Sequence, residues 1–288
     1  MRRRALLASG AGLLSAGFAG CLGDTDDAGT GSAPIQTTTD PTTDESTTEQ
    51  TSVFDATVDA SVDRIQPGVA FMGIDSVGIV GDGNQYVFYK VEVTDGDPPE
   101  RSAFGFRYGG RVVSPGVETG SGATLWRASE SSDRYTADRG AGWLVFELPA
   151  EIAAEHTGLT LGSQEWPVAD RVRDRLENPA PELSLDWQVP EEQPAGTSTI
   201  GFEVTNDGDR DTRFVGGVNA VDIRVAYAPV AVENREIPAT ETVTWEITHD
   251  NGREPGEESV GDGESDGEYR LDWTQGERVQ TVRFVAPE

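Results

Sequence analysis

Lysine is almost missing from this chain. Of 22 basic residues only Lys90 is a lysine, and the rest are arginines. Cysteine occurs once, at Cys21, while histidine occurs twice, at His156 and His249. One thiol excludes an internal disulfide framework and any cysteine-rich metal centre. A blue-copper site needs two histidines, a thiolate and usually a methionine close together, and neither Met1 nor Met72 falls near a Cys-His cluster. Gly263-Glu264-Ser265-Asp266-Gly267 has the Gly-x-Ser-x-Gly spacing but sits in an acidic stretch with no strand-to-helix elbow around it, and there is no haem attachment, P-loop or dinucleotide fingerprint and no Asn-x-Ser/Thr sequon. The familiar enzymatic constellations therefore have no residues to build them, and the chain reads as a non-enzyme without a cofactor.

Acid, by contrast, is abundant. Fifty-one Asp and Glu face 22 Lys and Arg, a formal net charge of −29. Phosphate contacts need a basic face, so this balance argues against nucleic acid as a partner. The acids are spread through nearly every loop rather than gathered in one tail. Scarce lysine with dispersed acid resembles the proteome of a salt-loving archaeon, where salt screens the self-repulsion. On that reading the charge reports habitat more than partner.

The first twenty residues, MRRRALLASGAGLLSAGFAG, have the three parts of an export signal: a basic start, an apolar stretch and a small-residue end. The apolar stretch from Ala5 to Gly20 holds Ser and Gly and falls short of the roughly 20 residues of a spanning helix. Arg3-Arg4-Ala5-Leu6-Leu7 resembles a twin-arginine signal. Phe18-Ala19-Gly20-Cys21 resembles a lipobox, which implies that Cys21 is lipidated and becomes the first residue of the mature chain. Loss of three arginines would take the charge from −29 to about −32. One acyl chain holds a membrane only marginally, and the diacylglyceryl group implied by the resemblance supplies two. The expected location is the outer face of the cytoplasmic membrane, with the membrane itself as one partner.

Residues 21–52 follow as a linker. Positions 22–52 hold ten threonines and seven acids, with no base and no aromatic. Such a segment cannot bury enough apolar surface to offset its ordering entropy. Acid repulsion and Pro34 and Pro41 favour an extended stalk, whose threonines are candidates for O-glycosylation.

From Val53 the period is two. Val87, Tyr89, Val91 and Val93 share one face of a strand over 85–94, with Lys90 and Glu92 opposite. Segments 103–108, 142–148 and 158–161 read as further strands. Val168, Val172 and Leu176 at i, i+4 and i+8 predict a helix over 168–177, stopped by Asn178-Pro179. The fold class expected is all-β, with two antiparallel sandwiches in tandem over 53–178 and 179–288, hinged at Pro179 and Pro181. The second carries an internal echo. Deleting Gly196 aligns Thr197 with Thr240, Ile200 with Val243, Phe202 with Trp245 and Val204 with Ile247. Two copies are too few for a solenoid, and read as equivalent strands of one sandwich. Segments 267–273 and 278–285 predict a closing hairpin.

PAGTSTIGFEVTNDGD, PATETVTWEITHD and the terminal EYRLDW…VQTVRFV hairpin resemble the immunoglobulin-like, adhesion-related (CARDB-like) modules of archaeal and bacterial surfaces, over roughly 182–288. QYVFYKVEV and GWLVFELP of the first sandwich are similar, more loosely, to immunoglobulin-like domains of small secreted lipoproteins. The resemblance carries no catalytic residue, and fold alone does not imply function.

Few residues remain as site candidates. His156 and His249 read as turn histidines. Asn206, Asp207, Asp209 and Asp211 in NDGDRD, and Asp262, Glu264, Asp266 and Glu268 in GDGESDGE, are weak calcium candidates without EF-hand spacing. The tryptophans read as core, with Trp126 between Gly-rich turns as the candidate exposed binding aromatic. The function expected is a non-enzymatic surface module that binds a surface protein or a glycan, or a structural spacer. The alternative is an accessory or solute-binding component of an envelope transport system.

Overall fold

The computed structural model describes residues 54–81, 83–116, 124–125, 134–223, 225–254 and 265–285. Arg3, Arg4, Cys21 and the stalk lie outside the described residues, as do Trp126, Asp262 and Glu264. The described chain is all-β, built of sheets that are antiparallel but for one short pair and packed as sandwiches, with one short α-helix.

In the N-terminal half, β1 (Thr57–Gln66), β4 (Asn84–Asp95) and β8 (Ala141–Pro149) form one sheet, in the order β1-β4-β8. The second sheet has the order β10-β9-β5-β6, from β5 (Phe104–Tyr108), β6 (Arg111–Val113), β9 (Gly158–Leu161) and β10 (Gln164–Pro167). Between them lie Val87, Tyr89, Val91, Leu144 and Phe146 from the first sheet and Phe104, Phe106, Leu159 and Leu161 from the second. Each buried aliphatic or aromatic side chain in such a core contributes about 1.5–3 kcal/mol. Tyr89, Phe106 and Phe146 meet with ring centroids 5.4 to 6.2 Å apart.

The alternation expected of β4 is present, with Lys90 and Glu92 exposed. Its other face is not solvent-facing throughout, however. Tyr86 and Phe88 are also fully buried, against Val69 and Val145. They are covered by a three-stranded sheet of order β3-β2-β7, from β2 (Val69–Met72), β3 (Val77–Val80) and β7 (Thr124–Leu125).

The helix α1 runs over Asp170–Leu176, shorter at both ends than its periodicity predicts. Val168 and Leu176 are buried on the first core and Val172 packs against it. The Asn178 side chain donates to the Asp174 carbonyl (2.8 Å), and Pro179 offers no N–H to continue the ladder.

In the C-terminal half, β11 (Leu183–Gln188), β13 (Thr197–Asn206) and β16 (Thr242–Asp250) form a sheet of order β11-β13-β16. It faces a five-stranded sheet of order β12-β18-β17-β14-β15, from β12 (Glu192–Pro194), β14 (Thr212–Val221), β15 (Ala228–Ile237), β17 (Gly267–Trp273) and β18 (Gly276–Val285). All pairings in these two sheets are antiparallel except β12 with β18, which is parallel. The β17–β18 hairpin is the closing hairpin expected from the sequence.

The two echoed segments become neighbours: β13 pairs with β16, and Phe202 stands directly opposite Trp245. Their rings stack at 4.9 Å with 2° between planes, and Phe214 closes on the indole edge-on at 5.5 Å.

The two halves meet at β3. The Val77 N–H donates to Asn219 Oδ1 and Asn219 Nδ2 donates back to the Val77 carbonyl, both at 2.8 Å. Asp272 Oδ2 accepts from the Ile79 N–H at 2.8 Å. Side chains of β14 and β17 thus satisfy backbone groups of β3 that would otherwise be orphaned. Gly217 permits the approach, because a Cβ there would sit 2.9 Å from Val77 Cγ1. Beyond the helix, Gln275 Nε2 donates to the Pro181 carbonyl (3.2 Å) and Gln275 Oε1 accepts from the Leu183 N–H (2.9 Å).

Candidate functional site

At the junction of the two halves a cleft of about 430 Å³ is lined from β1, α1, the turn after β13, β14 and β15. Its charged lining holds Arg64, Arg171, Arg175, Arg210 and Arg213 among Asp63, Asp174, Asp209, Asp211 and Glu236. Among the described residues, five bases against five acids make a neutral lining in a chain where acids outnumber bases 51 to 22. Cations are concentrated here against the trend of the whole molecule.

The arginines are held differently. The Arg64 guanidinium carbon lies 4.0 Å above the Phe88 ring centroid and 5.2 Å from that of Trp143. Its Nε donates to Gln66 Oε1 (3.0 Å), and Asn234 Nδ2 donates to the same oxygen (2.9 Å). Arg213 Nε donates in turn to Asn234 Oδ1 (2.7 Å). A carboxamide relay, with Gln66 only 1% exposed, therefore fixes Arg64 and Arg213 relative to each other across the junction. Arg213 also reaches Glu236 at 3.5 Å, and Arg64 pairs with Asp63 at 2.5 Å.

Arg175 is less well served. Its Nη1 makes one long bond, 3.4 Å, to the Asn178 carbonyl, and its buried Nη2 has no hydrogen-bond partner. Burial, and then the neighbouring Arg210 charge, hold its guanidinium below the ordinary arginine range. Arg210 Nε is also buried, 3.6 Å from the Asp209 carboxylate and outside hydrogen-bond contact. Among the described residues no acid pairs with Arg171 or Arg175. Arginine presents a planar fork suited to carboxylates and phosphates, so these groups form an incomplete oxyanion receptor.

The calcium candidates near this cleft are engaged elsewhere. Asn206 is fully buried; its Nδ2 donates to the carbonyls of Arg210, Ile237 and Pro238, and its Oδ1 accepts from the Gly208 N–H. Asp211 Oδ1 accepts from the Ala239 N–H (2.9 Å). Asp207 and Asp209 lie in the same turn, so the motif organises the turn that delivers Arg210 to the cleft. Asp266 Oδ2 accepts from the Phe284 N–H, and Glu268 pairs with Arg270 at 2.5 Å. No group of three or more metal-ligating side chains occurs among the described residues.

His156 is an exposed turn residue with φ of 51°, as its sequence context predicts. His249 is not a solvated turn residue. It lies within β16, half-buried, with Nε2 2.9 Å from the Tyr269 hydroxyl and Nδ1 3.1 Å from the Asp250 carbonyl. The strand runs to Asp250, and the turn begins with the buried Asn251, whose Nδ2 donates to Ser198 Oγ and the Pro194 carbonyl. Burial lowers the His249 pKa, which the Asp250 contacts partly offset, and burial pushes Tyr269 up to about 12. Both groups therefore favour their neutral forms near pH 7, and with Tyr269 fully buried the pair is a core contact rather than an acid–base site.

The tryptophans with described side chains pack inward, wholly or in part. Trp245 and Trp273 are buried, while Trp143, Trp166 and Trp187 are half-buried. The arginine cleft escapes a reading of the sequence because its members lie from position 64 to 213. The only available signal is the scarcity of bases, which makes any gathering of them notable.

No family model matches the sequence, and no curated protein matches it. Among solved structures, part of the chain is similar to a β-glucosidase from Listeria innocua. A mutant form of that enzyme in complex with laminaribiose gives 16% identity and a TM-score of 0.29, over 38% of this chain and 17% of that one. The isofagomine complex gives a TM-score of 0.28 over the same shares. The gluconolactone complex gives 18% identity and 0.27, over 36% of this chain and 16% of that one. The likeness thus spans about a sixth of the matched enzyme.

Proposed function

We propose that this chain is a non-enzymatic recognition module of the cell surface, exported by a twin-arginine signal and anchored through lipid on Cys21. A threonine-rich stalk would carry two tandem immunoglobulin-like sandwiches, the second of the CARDB-like kind, away from the membrane of a salt-loving archaeon. The observation that supports binding is the cleft at the junction, where arginines from separate elements converge with hydrogen-bonding capacity left over. Among the described residues neither histidine lines it, and no serine, cysteine or lysine does. Those residue types favour holding a ligand over transforming it.

Chemical crosslinking on intact cells in saturating salt, followed by mass spectrometry, tests the reading. A recurrent protein or glycan joined to this chain is expected. Failure to find any, or retention of Cys21→Ser on the membrane, would overturn the recognition role or the anchor respectively.

A further inference from the structure

We infer that the arginine cleft binds a sugar acid, with the ligand carboxylate held by Arg175 and Arg210 and its hydroxyls received by the surrounding acids. This rests on the recognition reading above and names its ligand class. The unsatisfied Nη2 of Arg175 and Nε of Arg210 are buried donors. Both guanidinium groups line the cleft, so a small rotation of either side chain onto an oxyanion there relieves a buried donor that otherwise costs about 1–3 kcal/mol. Arg171, on the same helix one turn before Arg175, lines the cleft without a carboxylate partner among the described residues.

The five acids decide which oxyanion. A phosphate monoester carries about −1.5 to −2 charge at neutral pH and brings mainly acceptor oxygens towards Asp63, Asp174, Asp209, Asp211 and Glu236. Asp63, Asp211 and Glu236 already accept from Arg64, Ala239 and Arg213, and a carboxylate has further lone pairs to accept from a hydroxyl. A monocarboxylate bearing several hydroxyls supplies one anionic end for the arginines and several O–H donors for the acids. A volume of about 430 Å³ lies towards the small end of the usual range for ligand sites, which suits one or two sugar rings. The rigid positions of Arg64 and Arg213, set by Gln66 and Asn234, reduce the ordering cost of binding.

Molar salt leaves this site functional where surface pairs fail. The screening length falls to about 3 Å at 1 M, so only contact hydrogen bonds between charged groups retain strength. The cleft offers contacts of that kind.

The test titrates the full chain in molar KCl with digalacturonate, followed by calorimetry and by two-dimensional NMR for weak binding. One-to-one saturable binding is expected, weakened at least tenfold by Arg175→Gln, with neutral galactobiose inert and inorganic phosphate unable to displace the sugar acid. Arg210→Gln provides the same readout should Arg175→Gln melt early. No binding, equal binding of the neutral disaccharide, stoichiometric displacement by phosphate, or indifference to both variants overturns the assignment. Persistent surface crosslinks without digalacturonate binding would sink the ligand class alone. Binding without crosslinks would sink the surface role alone.

Discussion

Asn219 and Val77, 142 positions apart, exchange two hydrogen bonds of 2.8 Å, and the carboxamide of one serves the other as a strand neighbour would. Asn219 is 5% exposed, so water cannot replace it. Asn219→Leu leaves a buried N–H and a buried carbonyl unpaired, each costing about 1–3 kcal/mol. Denaturant titration should therefore show a loss of about 2–6 kcal/mol, and calorimetry a transition that broadens or splits as the two cores uncouple. An unchanged midpoint would mean that Val77 packing and the Asp272–Ile79 hydrogen bond hold β3 without Asn219.

The stacked pair of Phe202 and Trp245 anchors the C-terminal core. Phe202 is fully buried and touches both Trp245 and Phe214. Phe202→Ala should cost about 3–5 kcal/mol by thermal unfolding, whereas Phe202→Leu should cost distinctly less because it refills part of the cavity.

Gln66 joins Arg64 directly and Arg213 through Asn234. Gln66→Leu keeps the volume but strands Arg64 Nε and Asn234 Nδ2, which share its oxygen. A loss of about 1–3 kcal/mol is expected. Restoring the acceptor with Gln66→Glu should recover more of the melting temperature than Gln66→Leu does.

Acidification acts on His249. Its folded pKa lies below the ordinary 6.5 because burial disfavours the imidazolium. Below pH 6.5 the unfolded chain binds a proton that the folded chain resists, so stability falls as pH drops from 6.5 towards the folded pKa. Above 6.5 both forms are neutral and the residue adds no pH dependence. Denaturation midpoints measured between about pH 7.5 and about pH 5.5 should decline for the native chain and decline less for His249→Gln. Equal slopes would assign the acid sensitivity to other groups.

Strand identity is legible wherever apolar residues alternate without interruption, as in Val87, Tyr89 and Val91. It is illegible where a distant element changes the rule. Tyr86 and Phe88 share the face of Lys90 yet are buried, because β2 and β3 cover only that end of the strand. β14 hides behind Gly216-Gly217, whose missing side chains accommodate the Phe214 ring and Val77. His249 reads as a turn residue because Asn251-Gly252 follows so closely, but the strand continues to Asp250. The cleft is least legible of all. Each of its arginines looks like an ordinary surface residue within its own segment, and only the fold, which sets β1, α1 and the turn at 207–211 around one cleft, gathers them.

The echoed strands carry a further consequence. They pair about a local dyad through Phe202 and Trp245, so that Ile200 meets Ile247 and Val204 meets Val243. Each copy contributes the same edge to that contact, which makes the arrangement isologous and self-terminating. A head-to-tail repeat would leave an equivalent edge free for another copy, but here it is consumed at two. The remaining edge of β13 is taken by β11, whose sequence is not an echo. Geometry thus limits the duplication to a pair, and lengthening this half by a third copy would require a different symmetry.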